Sequence, residues 1–114
     1  MLKKLQSLSH LIGNTPLLQL EDARLNLYCK MELHNLMGSV KVRPAYYILQ
    51  EAIKRGEIDE DTTVIESSSG NFAIALATLC KRMGIRFMPI IDPNINPSYE
   101  RLLRSISSDV IKVT

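Results

Sequence analysis

A lysine stands where a helix is predicted to begin, in the segment from Gly38 to Pro44. The glycine predicts a turn that brings Lys41 to the first residues of the helix. Because the positive end of the helix dipole disfavours an ammonium group, the amine of Lys41 should lose its proton more readily there. A neutral amine is what Schiff-base chemistry requires. Most lysines simply point into water, and this segment taken alone favours that interpretation.

A second polar segment, Ser67–Asn71, contains three serines, a glycine and an asparagine between a strand and a helix. It presents hydroxyl groups and free backbone N–H groups at a helix N-terminus, an arrangement that binds carboxylates and phosphates. An ordinary N-cap needs only one such side chain, so the segment exceeds that need. Alone, it also fits a plain phosphate-binding doubly wound module, although neither the dinucleotide glycine pattern nor a Gly-Lys-Ser/Thr ending is present.

Alternating strands and helices position these two segments. Apolar residues at helical spacing predict a helix over 42–55 that ends at Gly56, and a second helix that begins after Asn71 and ends at Gly84. The pattern predicts an α/β fold with three layers, a mostly parallel sheet and helices on both faces. The other predicted elements are strands at 17–20, 25–31, 63–65, 85–91 and 109–113, and a third helix over 98–105.

The composition is that of one globular domain: 114 residues, 46% hydrophobic and 23% charged, with a net charge of +2. The basic residues are scattered and tryptophan is absent, which argues against nucleic-acid binding. Cys29 and Cys80 lie in apolar runs without metal-ligand spacing, so they are predicted to be reduced core residues, and no metal is expected. No membrane-length apolar run or cleavable leader is present, which predicts a cytoplasmic protein.

Four segments together resemble the cysteine synthase family of fold-type II pyridoxal-phosphate enzymes, and the resemblance runs from Ile12 to Val113. Each segment alone is weak evidence, but four segments in the family's order and at the family's spacing argue against a chance match. The form of Glu66–Asn71, with Asp92–Asn94 and Pro97 later in the chain, most resembles the branch that forms a diaminopropionate precursor of siderophores from phosphoserine and glutamate. The four segments are Ile12–Leu17, Lys30–Glu32 with Asn35, Gly38–Lys41 with Arg43–Ala45, and Glu66–Asn71 with Ile74–Ala77.

The resemblance implies that pyridoxal 5'-phosphate is the cofactor and that Lys41 carries it and later removes the α-proton of the substrate. It implies that Asn71 bonds the phenolic oxygen of the cofactor, and that Ser68, Ser69, Asn71 and the backbone of Phe72 hold the carboxylate of an amino-acid substrate. The implied reaction is β-elimination or β-replacement on O-acetyl- or O-phosphoserine, with sulfide or an amino-acid amine as the nucleophile.

The family resemblance also implies a division of the chain. Residues 1–36 would contribute strands that pack on a second domain, and residues 37–114 would form a small α/β domain with the lysine and the serine segment. In the family, the phosphate cradle and the residue facing the pyridine nitrogen lie in the second domain. The chain alone is therefore expected to be inactive, and the full-length protein is expected to be a homodimer.

The sequence departs from the family pattern at Val42, where an aspartate usually follows the lysine. Loss of this carboxylate is predicted to disturb how the start of the helix is held. The alternative interpretation is a truncated or degenerate copy without catalytic activity, which binds an anion or a protein partner through an uncovered sheet. Other departures occur at Leu36–Met37, Ala73 and Ser107–Ser108.

Overall fold

A computed structural model describes residues 1–114. Every predicted strand and helix is present, although the last strand is shortened to two residues, and three short 3-10 turns lie in two of the connections. The elements in chain order are α1 (Leu2–Gln6), β1 (Leu17–Leu20), β2 (Leu27–Lys30), α2 (Val42–Lys54), β3 (Thr63–Ser67), α3 (Asn71–Met83), β4 (Arg86–Ile91), α4 (Pro97–Ile106) and β5 (Ile111–Lys112), with 3-10 turns at Ser9–Leu11, Glu32–His34 and Leu36–Gly38.

Strands β3, β4 and β5 form a parallel sheet in that spatial order, with Thr63 opposite Arg86 and Ile90 opposite Ile111. Helices α3 and α4 are the crossovers between these strands, as parallel neighbours require. Strands β1 and β2 form a separate antiparallel pair. The predicted α/β class and its parallel sheet are confirmed.

Helix α3 is the centre of the core. It contacts α1, α2, α4 and β4, and its residues from Ala73 to Ala77 are all buried. A helix that is apolar on every side must be covered on every side, and the alanines let its neighbours approach closely. The helix ends at Gly84, whose φ of +80° is the left-handed conformation that glycine adopts without strain. The predicted end of this helix is therefore confirmed.

The two faces of the parallel sheet are covered unequally. Phe87 and Ile91 of β4 are each 1% exposed on the helix side, whereas Ile65 and Ile111 on the opposite face are 53% and 42% exposed. The sequence predicts helices on both faces, but the helices of residues 1–114 cover only one of them. The opposite face is an apolar surface that these residues leave open.

The structure differs from the sequence-based expectations at helix α1 and at one of the two cysteines. Helix α1 is not predicted, yet its Leu5 is fully buried in the core beside α2 and α3. Cys80 is a buried free thiol, and burial raises its pKa to about 12, which keeps it protonated and unreactive. Cys29 is only half-buried on β2, so the core assignment is correct for Cys80 alone. None of the helices is long and apolar enough to cross a membrane.

Candidate active site

Lys41 lies immediately before α2, in helical conformation, and Gly38 makes the predicted turn with a φ of +79°. The Lys41 N–H donates to Ser39 Oγ at 3.2 Å, and its carbonyl accepts from the Ala45 N–H at 3.2 Å. The side chain is exposed, and its ammonium has no hydrogen-bond or ion-pair partner in the chain. Lys41 therefore lies at a helix start, as the sequence predicts, and its amino group is unpartnered.

Val42 anchors the start of α2 in the apolar core. Its side chain is 1% exposed and belongs to the cluster that also contains Leu5 and Leu49. A carboxylate at this position would lie in an apolar environment without water, which is costly. The missing aspartate therefore does not leave the helix start unsupported, because valine holds it by packing.

Glu32 is the acceptor at the centre of a hydrogen-bonded network beside Lys41. Arg43 donates to its carboxylate twice, from Nε and Nη2, both at 2.9 Å. Thr15 Oγ1 donates at 2.9 Å, and Asn35 Nδ2 donates as well. The paired donors of Arg43, followed by those of Thr15 and Asn35, lower the pKa of Glu32 from 4.5 to about 2. The carboxylate is therefore ionised at any pH near neutrality.

Two further hydrogen bonds join this network to the backbone of Gly13 and Thr15. Asn35 Oδ1 accepts from the Gly13 N–H at 2.8 Å, and Lys30 Nζ donates to the carbonyl of Thr15. Gly13 lies against Arg43: a Cβ atom there would be 3.0 Å from Nη1, and its φ is +82°. We call the side chains of Glu32, Arg43, Thr15 and Asn35, with the N–H of Gly13, the Glu32 network. It joins three segments of the chain.

Sequence reasoning missed the Glu32 network, although each of its members stands in a segment that carries the family resemblance. The partners of Glu32 are as many as 17 residues away, and Asn35 meets Gly13 across 22 residues. No local periodicity or spacing brings such residues together. The sequence offered one indication of this pair. Glu32 and Arg43 have opposite charges, and each stands in one of the four segments that carry the family resemblance.

Glu32→Gln is expected to make the thermal stability of the fold depend less on pH in the acid range. The pKa of Glu32 is lowered on folding, so its stabilisation is complete above about pH 4.5 and is lost as the pH falls through about 2. Thermal unfolding midpoints measured from pH 2 to 6 should converge for the two proteins at low pH. The exposed Glu57, paired with Arg55, offers Glu57→Gln as the control. Parallel pH curves for the original chain and Glu32→Gln would contradict this expectation.

Two serines of the serine segment already accept hydrogen bonds from the backbone of the protein. Ser68 Oγ accepts from the Ala73 N–H at 3.2 Å and from the Gly70 N–H at 3.5 Å. Ser69 Oγ accepts from the Asp92 N–H at 2.6 Å, which ties β3 to the end of β4. Each hydroxyl hydrogen remains available to donate to a ligand, because both oxygens act here as acceptors.

Asn71 and Phe72 form the first turn of α3, where backbone N–H groups have no acceptor within the helix. Beside them is a pocket of about 270 Å³ at the carboxyl ends of the parallel strands. Ligands bind at this edge of open α/β sheets. The pocket is lined by Ser67, Ser68, Ser69, Ile90, Ile91, Asp92 and Val113.

The structure brings some of the predicted site residues together and leaves one apart. Ser68 and Ser69 share the pocket, and Asn71 and Phe72 follow directly in the chain. Lys41 does not line this pocket, and no hydrogen bond joins it to the serine segment. The turn Leu36–Gly38 before Lys41 contacts α3, and α2 packs along the same helix. The roles of these residues toward a cofactor and a substrate stay predictions.

A parallel α/β sheet has an unpartnered lysine at one helix start and a polar segment at another, an arrangement that is typical of proteins with sites for small anions. The chain belongs to the family described as pyridoxal-phosphate dependent enzyme, whose model matches residues 8–114. The cofactor predicted from the resemblance is thereby confirmed for the family.

Two curated relatives have the name N-(2-amino-2-carboxyethyl)-L-glutamate synthase. The protein from Ralstonia nicotianae is 41% identical over 96% of this chain and 33% of its own length. The protein from Cupriavidus metallidurans is 46% identical over 90% of this chain and 31% of its own length. The chain thus spans about a third of these relatives. The resemblance to the diaminopropionate branch agrees with both names.

Solved structures show the same fold. A hydrogen sulfide-producing enzyme from Fusobacterium nucleatum, in complex with an α-aminoacrylate intermediate, matches with a TM-score of 0.87 at 31% identity, over 97% of this chain and 34% of that one. Cysteine synthase from Entamoeba histolytica matches with a TM-score of 0.84 at 27% identity, over 96% of this chain and 33% of that one. The predicted likeness to cysteine synthases is confirmed.

Proposed function

We propose that residues 1–114 are the lysine-bearing portion of an enzyme that replaces the β-substituent of an O-activated L-serine. The observation that carries the proposal is the unpartnered amine of Lys41 at a helix start, in a chain of the pyridoxal-phosphate family. The name shared by two relatives describes a glutamate whose nitrogen bears a three-carbon amino-acid unit. An amino-acid amine is therefore the favoured nucleophile, with O-phosphoserine or O-acetylserine as the donor, and sulfide is the second candidate.

The residues present fit the proposed cofactor. Lys41 has a free amine to hold it covalently, and the exposed side chain of Asn71 makes no hydrogen bond in the chain and can donate to its phenolic oxygen. When bound, pyridoxal phosphate takes up the electrons released at the substrate α-carbon. The remaining task for Lys41 is to accept the α-proton, which a lysine amine can do once it is neutral.

The substrate carboxylate would bind at the start of α3. The N–H groups of Asn71 and Phe72 and the hydroxyl hydrogens of Ser68 and Ser69 supply donors there. The N-terminus of this 13-residue helix adds a favourable dipole for an anion. These donors would orient the amino acid so that its α-hydrogen faces a base.

The remaining walls of the pocket are proposed to come from a second domain. Residues 1–36 have exposed leucines on and beside their strands, among them Leu17 and Leu25, each 63% exposed, which suits packing on another surface. Residues 37–114 would then be the small domain with the lysine. We propose that residues 1–114 alone do not turn over substrate, and that the whole protein is a homodimer acting on small amino acids in the cytoplasm.

A second candidate function is supported by the open face of the sheet. Ile65 and Ile111 form an apolar surface on which a protein partner could pack, in a copy of the fold that has no catalytic activity. This candidate differs from the first in what it requires of the site residues. It requires no ligand at Asn71 or Phe72 and no reactive Lys41.

The carboxylate site is tested by titrating the chain with O-phospho-L-serine and following backbone amide signals by NMR. We expect the amides of Asn71 and Phe72 to shift, and Ser69→Ala to weaken binding about tenfold because one hydroxyl donor of the proposed site is lost. Asn94→Ala, which changes an exposed asparagine in the neighbouring turn, is the control. An unchanged Phe72 amide would exclude this site. Inorganic phosphate binding as tightly as phosphoserine would favour a plain phosphate module.

A further inference from the structure

The side chain of Lys41 makes no hydrogen bond or ion pair that would hold it in place. Its ammonium has no partner, and α2 has no side-chain cap at its N-terminus. Only backbone bonds to Ser39 and Ala45 fix the residue. The direction in which Lys41 leaves the backbone is therefore set by whatever holds the first turn of α2.

Two neighbours hold that turn from different sides. Val42 is packed in the apolar core, which fixes the depth of the helix start. Arg43 is bonded to Glu32 through two parallel hydrogen bonds, both 2.9 Å long. A bidentate guanidinium–carboxylate pair fixes orientation as well as distance. Lys41 thus precedes a pair of residues that together leave the first turn little freedom to rotate.

Glu32 can serve as a rigid acceptor because its other donors come from different parts of the chain. Thr15 and Asn35, which are 6% and 5% exposed, each donate to one oxygen of the carboxylate. Asn35 is itself fixed by the Gly13 N–H. A shift of Arg43 that carried Glu32 with it would therefore disturb the part-buried hydrogen bonds from Thr15 and Asn35, and polar groups that lose their partners are costly.

We propose that Glu32 and Arg43 are positioning residues for Lys41. They do not touch the reacting atoms, and they hold the first turn of α2 so that the side chain of Lys41 leaves the backbone in one direction. In this chain, where Val42 replaces the family's usual aspartate, the charged partner of the helix start comes from Glu32. This inference rests on the proposed function of Lys41, although the rigidity of the turn can be measured without any cofactor.

The test is hydrogen exchange of backbone amides in the 114-residue chain and in Glu32→Gln. The Ala45 N–H, which donates to Lys41, should exchange roughly tenfold faster or more in the variant, while the Leu79 N–H in α3 keeps its rate. Arg43→Lys retains the charge but loses the bidentate geometry, and should give an intermediate rate. Glu57→Gln removes an exposed ion pair beyond the other end of α2 and should change neither amide.

Equal acceleration at Ala45 and Leu79 would overturn the proposal, since the network would then stabilise the whole fold and not this turn. An unchanged Ala45 amide would overturn it as well. A second measurement compares labelling of Lys41 and Lys54 by pyridoxal phosphate and borohydride, and the ratio should fall about tenfold in Glu32→Gln. If the original chain shows no preference for Lys41, the proposed function fails, and the amide exchange still decides whether the turn is positioned.

Discussion

Lys41→Ala is expected to abolish the covalent retention of pyridoxal phosphate while leaving the fold intact. Alanine has no amine, so the covalent link proposed for this position cannot form. Because the Lys41 side chain is exposed and has no partner, the free energy of unfolding should change by about 0.5 kcal/mol or less. The measurement is the visible absorbance that stays with the protein after gel filtration, together with a urea unfolding curve.

Lys54→Ala is the matched control, since Lys54 lies in the last turn of the same helix and pairs with Glu51 on the surface. It should retain the absorbance of the original chain. Equal retention by Lys41→Ala and the original chain would show that another lysine holds the cofactor.

Val42→Asp, which restores the residue that the family usually has after the lysine, is expected to destabilise the chain strongly. The side chain of Val42 is 1% exposed among core residues, and a carboxylate there would have to be buried or neutralised. We expect a loss of about 3 kcal/mol or more in the free energy of unfolding at pH 7. The loss should shrink as the pH falls, because the protonated acid is easier to bury than its anion.

Val40→Asp is the control for that substitution, because Val40 is 46% exposed and lies two residues earlier. Its effect should stay within about 0.5 kcal/mol. A Val42→Asp protein as stable as the original chain, at every pH, would contradict the packing described for the start of α2.

The fold was largely predictable where local chemistry decides it. The helices around Leu49 and Leu79 follow from apolar spacing, and Gly56 and Gly84 mark their ends with positive φ. Helix α1 was missed because it has five residues and no cap, and Leu5 makes it stable only through contacts with α2 and α3. The open face of the sheet could not be foreseen either, since which side each crossover covers is decided by tertiary packing.

The candidate site was predictable only in part. The positions of Lys41 and of the serine segment followed from glycine turns and helix starts, and they are where the sequence places them. That Ser68 and Ser69 already bond backbone groups could not be read from sequence, because Ala73 and Asp92 are brought to them by the fold. The packing of Val42 at the start of α2 could not be predicted either, because it depends on the burial of the side chain in the folded chain.

The most direct test of the central claim is to locate the lysine that reacts with pyridoxal phosphate. The 114-residue chain would be treated with the cofactor, reduced with borohydride, digested and mapped by mass spectrometry. We predict that Lys41 carries the label in clear excess over the other lysines, and that O-phospho-L-serine changes its labelling without affecting Lys54. Label spread evenly over the exposed lysines, or concentrated on a lysine other than Lys41, would contradict the account.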